Sequence, residues 1–76
     1  MKSRLPQRLK ELRAVKNISQ AKLAEAVNIS ISFVAEIEMG RSSVSTELLI
    51  ALADFFGVST DYLLGRDIVV STSIDS

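Results

Sequence analysis

The sequence predicts an all-α domain: a compact five-helix fold with a short C-terminal tail. Three observations lead there. Apolar residues recur at three- and four-residue spacing in short stretches. Each stretch opens near a serine or proline and closes near an asparagine or glycine, the residue types that start and stop helices. The chain has 76 residues and no cysteine, so one small core without disulfides must hold it together.

The elements follow in order. Pro6 suits a first helical turn, where its missing N–H is not needed. Leu5, Leu9, Leu12 and Val15 then form the apolar stripe of helix one, which ends near Asn17. Ser19 is the expected N-cap of helix two, whose narrow stripe is Leu23, Ala24 and Val27. Asn28 tolerates the left-handed conformation of a sharp turn. Ser30 caps helix three, Phe33, Val34 and Ile37 follow, and Gly40 stops it. Residues 40–44 form a polar loop. Ser45 caps helix four, which carries Leu48, Leu49, Leu52, Ala53 and Phe56 up to Gly57. Ser59 caps helix five, Thr60 to Leu64, and Gly65 stops it. Beyond that, Ile68, Val69 and Val70 favour strand, and Ser-Thr-Ser favours coil. The expected organisation is therefore a domain over residues 1–66 and a tail or short arm over 67–76.

Composition narrows the function. Neither histidine nor cysteine occurs, which removes the commonest general base, the commonest metal ligand and thiolate chemistry. No nucleophile triad or metal-ligand cluster is visible, so no enzyme, metal or cofactor is expected. Asp54 and Asp61 flank Gly57 and read as a solvated face and a cap-region charge. The longest apolar run, Leu48 to Ala53, is far below the ~18 residues of a membrane span. No secretory leader is visible at the N-terminus, so a cytoplasmic location is expected, and no small-molecule site is evident. The formal net charge is zero, which taken alone speaks against nucleic acid. That zero divides, however, into +6 over residues 1–22 and −6 over residues 23–76. Such asymmetry points to an anionic partner, or to a basic first helix that complements acidic ones.

Two short helices with a tight turn between them, over about residues 19–39, are the signature of a DNA-reading helix-turn-helix. Ala24 must be small where the helices cross, and Asn28 must accept positive φ. Leu23, Val27, Ile29, Val34 and Ile37 must face inward to complete the core.

Further residues carry a resemblance: Arg8-Leu9-Lys10-Glu11-Leu12-Arg13, Ser19-Gln20, Leu23-Ala24-Glu25, Ile29-Ser30, Val34, Ile37-Glu38 and Gly40-Arg41, then the segment Leu52 to Gly65. Over roughly residues 5–66 the chain resembles the lambda-repressor/Cro-like (Xre-type) DNA-binding domains of phages and bacteria. It looks like the repressors of phage or mobile-element genes in Gram-positive bacteria.

The resemblance implies that helix three enters the major groove of double-stranded DNA. Ser19 and Gln20 would hold a phosphate, with Lys16 and Lys22 as additional phosphate contacts. Ser30, Ile31, Ser32, Phe33 and Glu36 would occupy outward positions, and Ile31, Ser32 and Glu36 match the main base-reading positions. Arg41, Ser42 and Ser43 would meet the backbone. Arg13 and Glu38 match positions that form a structural salt bridge. A homodimer on a palindromic site is implied, its contact mapping to Phe55, Val58, Thr60, Tyr62 and Leu63, with Ile68 and Val70 as a possible arm.

The chain departs from the pattern where Ile31 and Glu36 replace the usual Gln, Arg or Lys. Isoleucine can only touch a thymine methyl, and glutamate can accept from cytosine N4 but repels phosphate. Asn28 stands for the usual turn glycine and Val44 for a common proline. The alternative is a helix-turn-helix fold used as a protein-interaction module, with Ile31 and Phe33 as its surface.

Overall fold

The computed structural model describes residues 3–66; the arm expected at Ile68 and Val70 lies outside the described residues. Five helices run in order: α1 Leu5–Lys16, α2 Gln20–Ala26, α3 Ile31–Glu38, α4 Thr46–Phe56 and α5 Thr60–Leu64. No strand occurs among the described residues.

Serines set the starts of four helices. The Oγ atoms of Ser19, Ser30, Ser45 and Ser59 accept from the backbone N–H three residues on, at 3.0, 3.0, 3.1 and 3.0 Å. Each satisfies one of the N–H groups that a helix start leaves unpaired. At α1 the same service comes from Ser3, whose Oγ accepts from Leu5 N–H at 3.3 Å, while Pro6 sits in the first turn. Asn17 ends α1 in the left-handed conformation at φ 59°.

Leu9, Leu23, Val34, Ile37, Leu52 and Leu63 are fully enclosed and form the centre of the core. Leu5, Ala24, Ala53 and Phe56 complete it, and Val27, Ile29, Leu48 and Leu49 pack against it half-buried. Val15 departs from the expected stripe and is 82% exposed. The reason is helical phase. Leu5, Leu9 and Leu12 cluster on one face, and Val15, three residues after Leu12, falls roughly a quarter turn off it.

The two ends of the domain meet. Arg4 N–H donates to Leu64 C=O at 3.4 Å. Gly65, at φ 77°, lies so close to Arg4 that an added Cβ would sit 2.6 Å from Arg4 Cγ. Glycine is required there both for its backbone angle and for that approach.

Candidate nucleic-acid interface

The turn between α2 and α3 is built by Asn28, whose φ is 61°. Its N–H donates to Glu25 C=O at 3.3 Å, and Ile29 N–H donates to Ala24 C=O at 2.9 Å. Ala24 is 2% exposed, so the small side chain lies inside the angle that this turn makes. Val34 and Ile37 fix the inner face of α3 in the core.

A polar seam adds to that packing. Glu38 is buried at 5% exposure, and the hydrogen bonds its carboxylate accepts are charge-assisted. Arg13 Nε donates to Glu38 Oε2 at 2.7 Å and Arg13 Nη2 to Oε1 at 2.9 Å, a two-point grip between α1 and α3. Arg13 Nη1 also donates to Ile18 C=O at 3.1 Å. Gln20 Nε2 donates to the same Glu38 Oε1 at 3.0 Å, which brings the start of α2 into the seam. Burial pushes the Glu38 carboxyl up. The hydrogen bonds from Arg13 and Gln20, with the charges of Arg13 and Lys10, outweigh it and hold the group below its ordinary value. Conversely, the hydrogen bond to Glu38 raises Arg13, against an opposing effect of burial.

The opposite side of α3 is open. Ile31, 53% exposed, and Ser32 lead it. Ala35 and Glu36 follow half-buried, and Met39 ends it at 56% exposure. Ser32, Ala35, Glu36 and Met39 are spaced by three and four, so they form one stripe along the helix.

The residues singled out from sequence distribute around this stripe. Ser19 and Lys22 are exposed at the start of α2, and Arg41 and Ser43 are exposed in the loop after α3, with Ser42 half-buried. Ser30 is exposed, but its Oγ is engaged as a helix cap. Phe33 is half-buried against the core instead of standing free on the outer face. It begins the inward side of α3, next to Val34. Lys16 lies with its ammonium 5.6 Å from the Phe55 ring centre, and the Arg8 guanidinium lies 4.0 Å over Tyr62. Two basic residues of α1 thus stack on rings of the α4–α5 region.

Phe55, Val58, Thr60 and Tyr62 are all half-buried and keep some surface. Leu63 does not: at 0% exposure its side chain is spent on the core and supports that surface from beneath. Sequence reading missed Ala35 on the open stripe, and it read Met39 as partly exposed without placing it there; counting three and then seven residues on from Ser32 finds both. It also missed that Gln20 is tied to Glu38. No spacing rule announces that contact, because it joins separate helices.

A five-helix frame that holds α2 against α3 and leaves one face of α3 open defines a helix-turn-helix domain. The Helix-turn-helix family model HTH_3 matches residues 9–63, and the chain belongs to this Xre-type family. It is 38% identical over 63 residues to the HTH-type transcriptional regulator ImmR of Bacillus subtilis, covering 83% of this chain and 50% of that protein. It is 33% identical over 64 residues to the Immunity repressor protein of Bacillus phage phi105, covering 84% and 44%. The chain therefore spans about half the length of the curated relatives it matches. Among solved structures, a transcriptional regulator from Listeria innocua superposes with TM-score 0.80 at 28% identity, over 86% of this chain and 61% of that one. The restriction-modification controller protein C.AhdI from Aeromonas hydrophila superposes with TM-score 0.73 at 33% identity, over 80% and 92%.

Proposed function

We propose that the chain is a sequence-specific DNA-binding domain of a transcriptional regulator, a repressor that acts by occupying a promoter. α3 lies in the major groove and supplies selection. Ser19, Gln20, Lys22, Arg41, Ser42 and Ser43 supply phosphate contacts. Lys16 joins them by turning away from Phe55. The observation that carries this reading is the pairing on α3 of a face locked into the core with an open stripe, at a turn of helix-turn-helix geometry. The names of the relatives, a transcriptional regulator and an immunity repressor, support it.

One such domain buries too little surface for tight selective binding alone, so the active form is a homodimer on a palindromic operator. Phe55, Val58, Thr60 and Tyr62 form its contact, with Ile68 and Val70 as an added arm. Sedimentation of the full chain and of a chain ending at Arg66 tests the arm; equal dimerisation rules it out.

The central test is titration against DNA from upstream of the protein's own gene across a salt series. Binding is expected, weakening steeply as salt rises. Gln20→Ala is expected to weaken binding to all sequences alike, measured on the folded fraction because the change also removes a hydrogen bond from Glu38. A protein that ignores DNA at low salt but holds another protein instead would be an interaction module.

A further inference from the structure

The open face of α3 carries an incomplete chemical vocabulary. Its residues are Ile31, Ser32, Ala35 and Glu36, followed by Met39. None of them is arginine, lysine, asparagine or glutamine. Those are the side chains that read purine edges, Arg and Lys at guanine O6 and N7, Asn and Gln at adenine N6 and N7.

Of the neighbouring groups, Arg41 lies in the loop after α3 and is assigned to the DNA backbone, and the others do not make up the deficit. Gln20 has one Nε2 hydrogen on Glu38 Oε1 at 3.0 Å, which holds its amide at the seam, and its second N–H is assigned to a phosphate. Ser30 Oγ accepts from Phe33 N–H at 3.0 Å as a cap. Ser32 is a single short hydroxyl, unable to form the two-point contact that distinguishes a purine.

What remains is apolar surface and one acceptor. Ile31 is 53% exposed at the start of the helix, and Ala35 presents a methyl one turn on. Glu36, when ionised, can only accept hydrogen bonds. In the major groove these match pyrimidines: the thymine C5-methyl takes an apolar contact, and cytosine N4 donates to a carboxylate.

We propose that this domain selects its half-site through the pyrimidine member of the base pairs it touches. Ile31, helped by Ala35, reads a thymine methyl, and Glu36 reads a cytosine N4. α3 reads no purine edge. This rests on the assignment of α3 to the major groove, and it makes Ile31 and Glu36 the specificity-determining residues. It also accounts for the carboxylate on a DNA-facing helix: a negative charge that repels phosphate is retained where it recognises a base that donates.

The experiment uses the full chain and duplexes that it selects from a random pool at low salt. Each thymine of the selected half-site is then replaced by deoxyuridine, which removes only the methyl group. At one or two positions the replacement is expected to weaken binding about fourfold, the value of one buried methyl-sized group. Ile31→Ala should bind the thymine and uracil duplexes equally at that position. Glu36→Gln, which gains a donor, should move the preference at its own position from cytosine to adenine. Both residues retain solvent exposure, and the helical circular dichroism of each variant checks that the fold is kept.

Indifference to uracil at every thymine overturns the inference, and so does a base preference that Glu36→Gln leaves unmoved. A dominant guanine requirement that disappears in Arg41→Ala also overturns it, by moving selection to the loop after α3. In those cases DNA binding itself stands. Failure to select any duplex sinks the DNA reading as well.

Discussion

Glu36 and Glu38 are two residues apart on one helix and lead opposite lives. Glu38 is buried, accepts three hydrogen bonds from Arg13 and Gln20, and ties α1, α2 and α3 together. Glu36 is half-buried on the open stripe and makes no side-chain hydrogen bond to another described residue. The same functional group serves fixed geometry on one face and remains uncommitted on the other. The difference is set by helical phase alone, since a shift of two residues turns a side chain by more than half a circle. An eight-residue helix can therefore hold its position tightly and still offer replaceable contacts, because the two tasks draw on different residues.

The largest expected effect comes from Glu38→Gln. It leaves Arg13 without its counter-charge and should cost about 3–5 kcal/mol in urea unfolding. Base preference, measured on the folded fraction, should be unchanged. A shift in preference would mean that the two faces are not separate.

Acid tests the same residue without a substitution. The Glu38 carboxyl titrates below its ordinary value in the folded state. The folded protein therefore holds that proton less readily than the unfolded chain. The stability it contributes is present above the unfolded value of about 4.3 and is lost as pH falls through the folded value. Urea midpoints of the parent and of Glu38→Gln should run parallel from pH 7 to about 5 and converge below that. Parallel curves down to pH 2 would mean that the carboxylate is not the titrating group of the seam.

Ser30→Ala comes next, at about 1 kcal/mol of stability. The residue sits at the start of α3 among the expected DNA contacts, and its Oγ also accepts from Phe33 N–H as the helix cap. Its loss should lower the melting temperature more than it changes base preference. The smallest effect on stability belongs to Glu36→Gln, within about 0.5 kcal/mol by urea unfolding. A larger cost would place Glu36 with the core-facing side.

The sequence made the fold legible because its signals are local. Pro6 and Asn17 at the ends of α1, the serine caps at residues 19, 30, 45 and 59 and the stops at Gly57 and Gly65 each act within a few residues, so all five helices could be placed. Asn28 was readable for the same reason: few residue types accept its backbone angle. Less legible was which way a residue faces once a helix is docked. Val15 looked inward by type and spacing but fell off the stripe, and Phe33 looked outward yet packs on the core. Leu63 was placed in the dimer contact by the resemblance, whereas the five-residue α5 buries that side chain in the core. The Gln20–Glu38 contact was out of reach, since it depends on how two helices cross.

The contact between Arg4 and Leu64 has a consequence for engineering and for evolution. The chain enters and leaves the domain at one spot, joined there by a 3.4 Å backbone hydrogen bond. The first and last described segments of the domain thus lie side by side. The unit can be spliced into a surface loop of an unrelated host without prying that loop's ends apart, as closely spaced termini allow. It is a cassette in the literal sense: both connection points, at Arg4 and Gly65, are on the same edge.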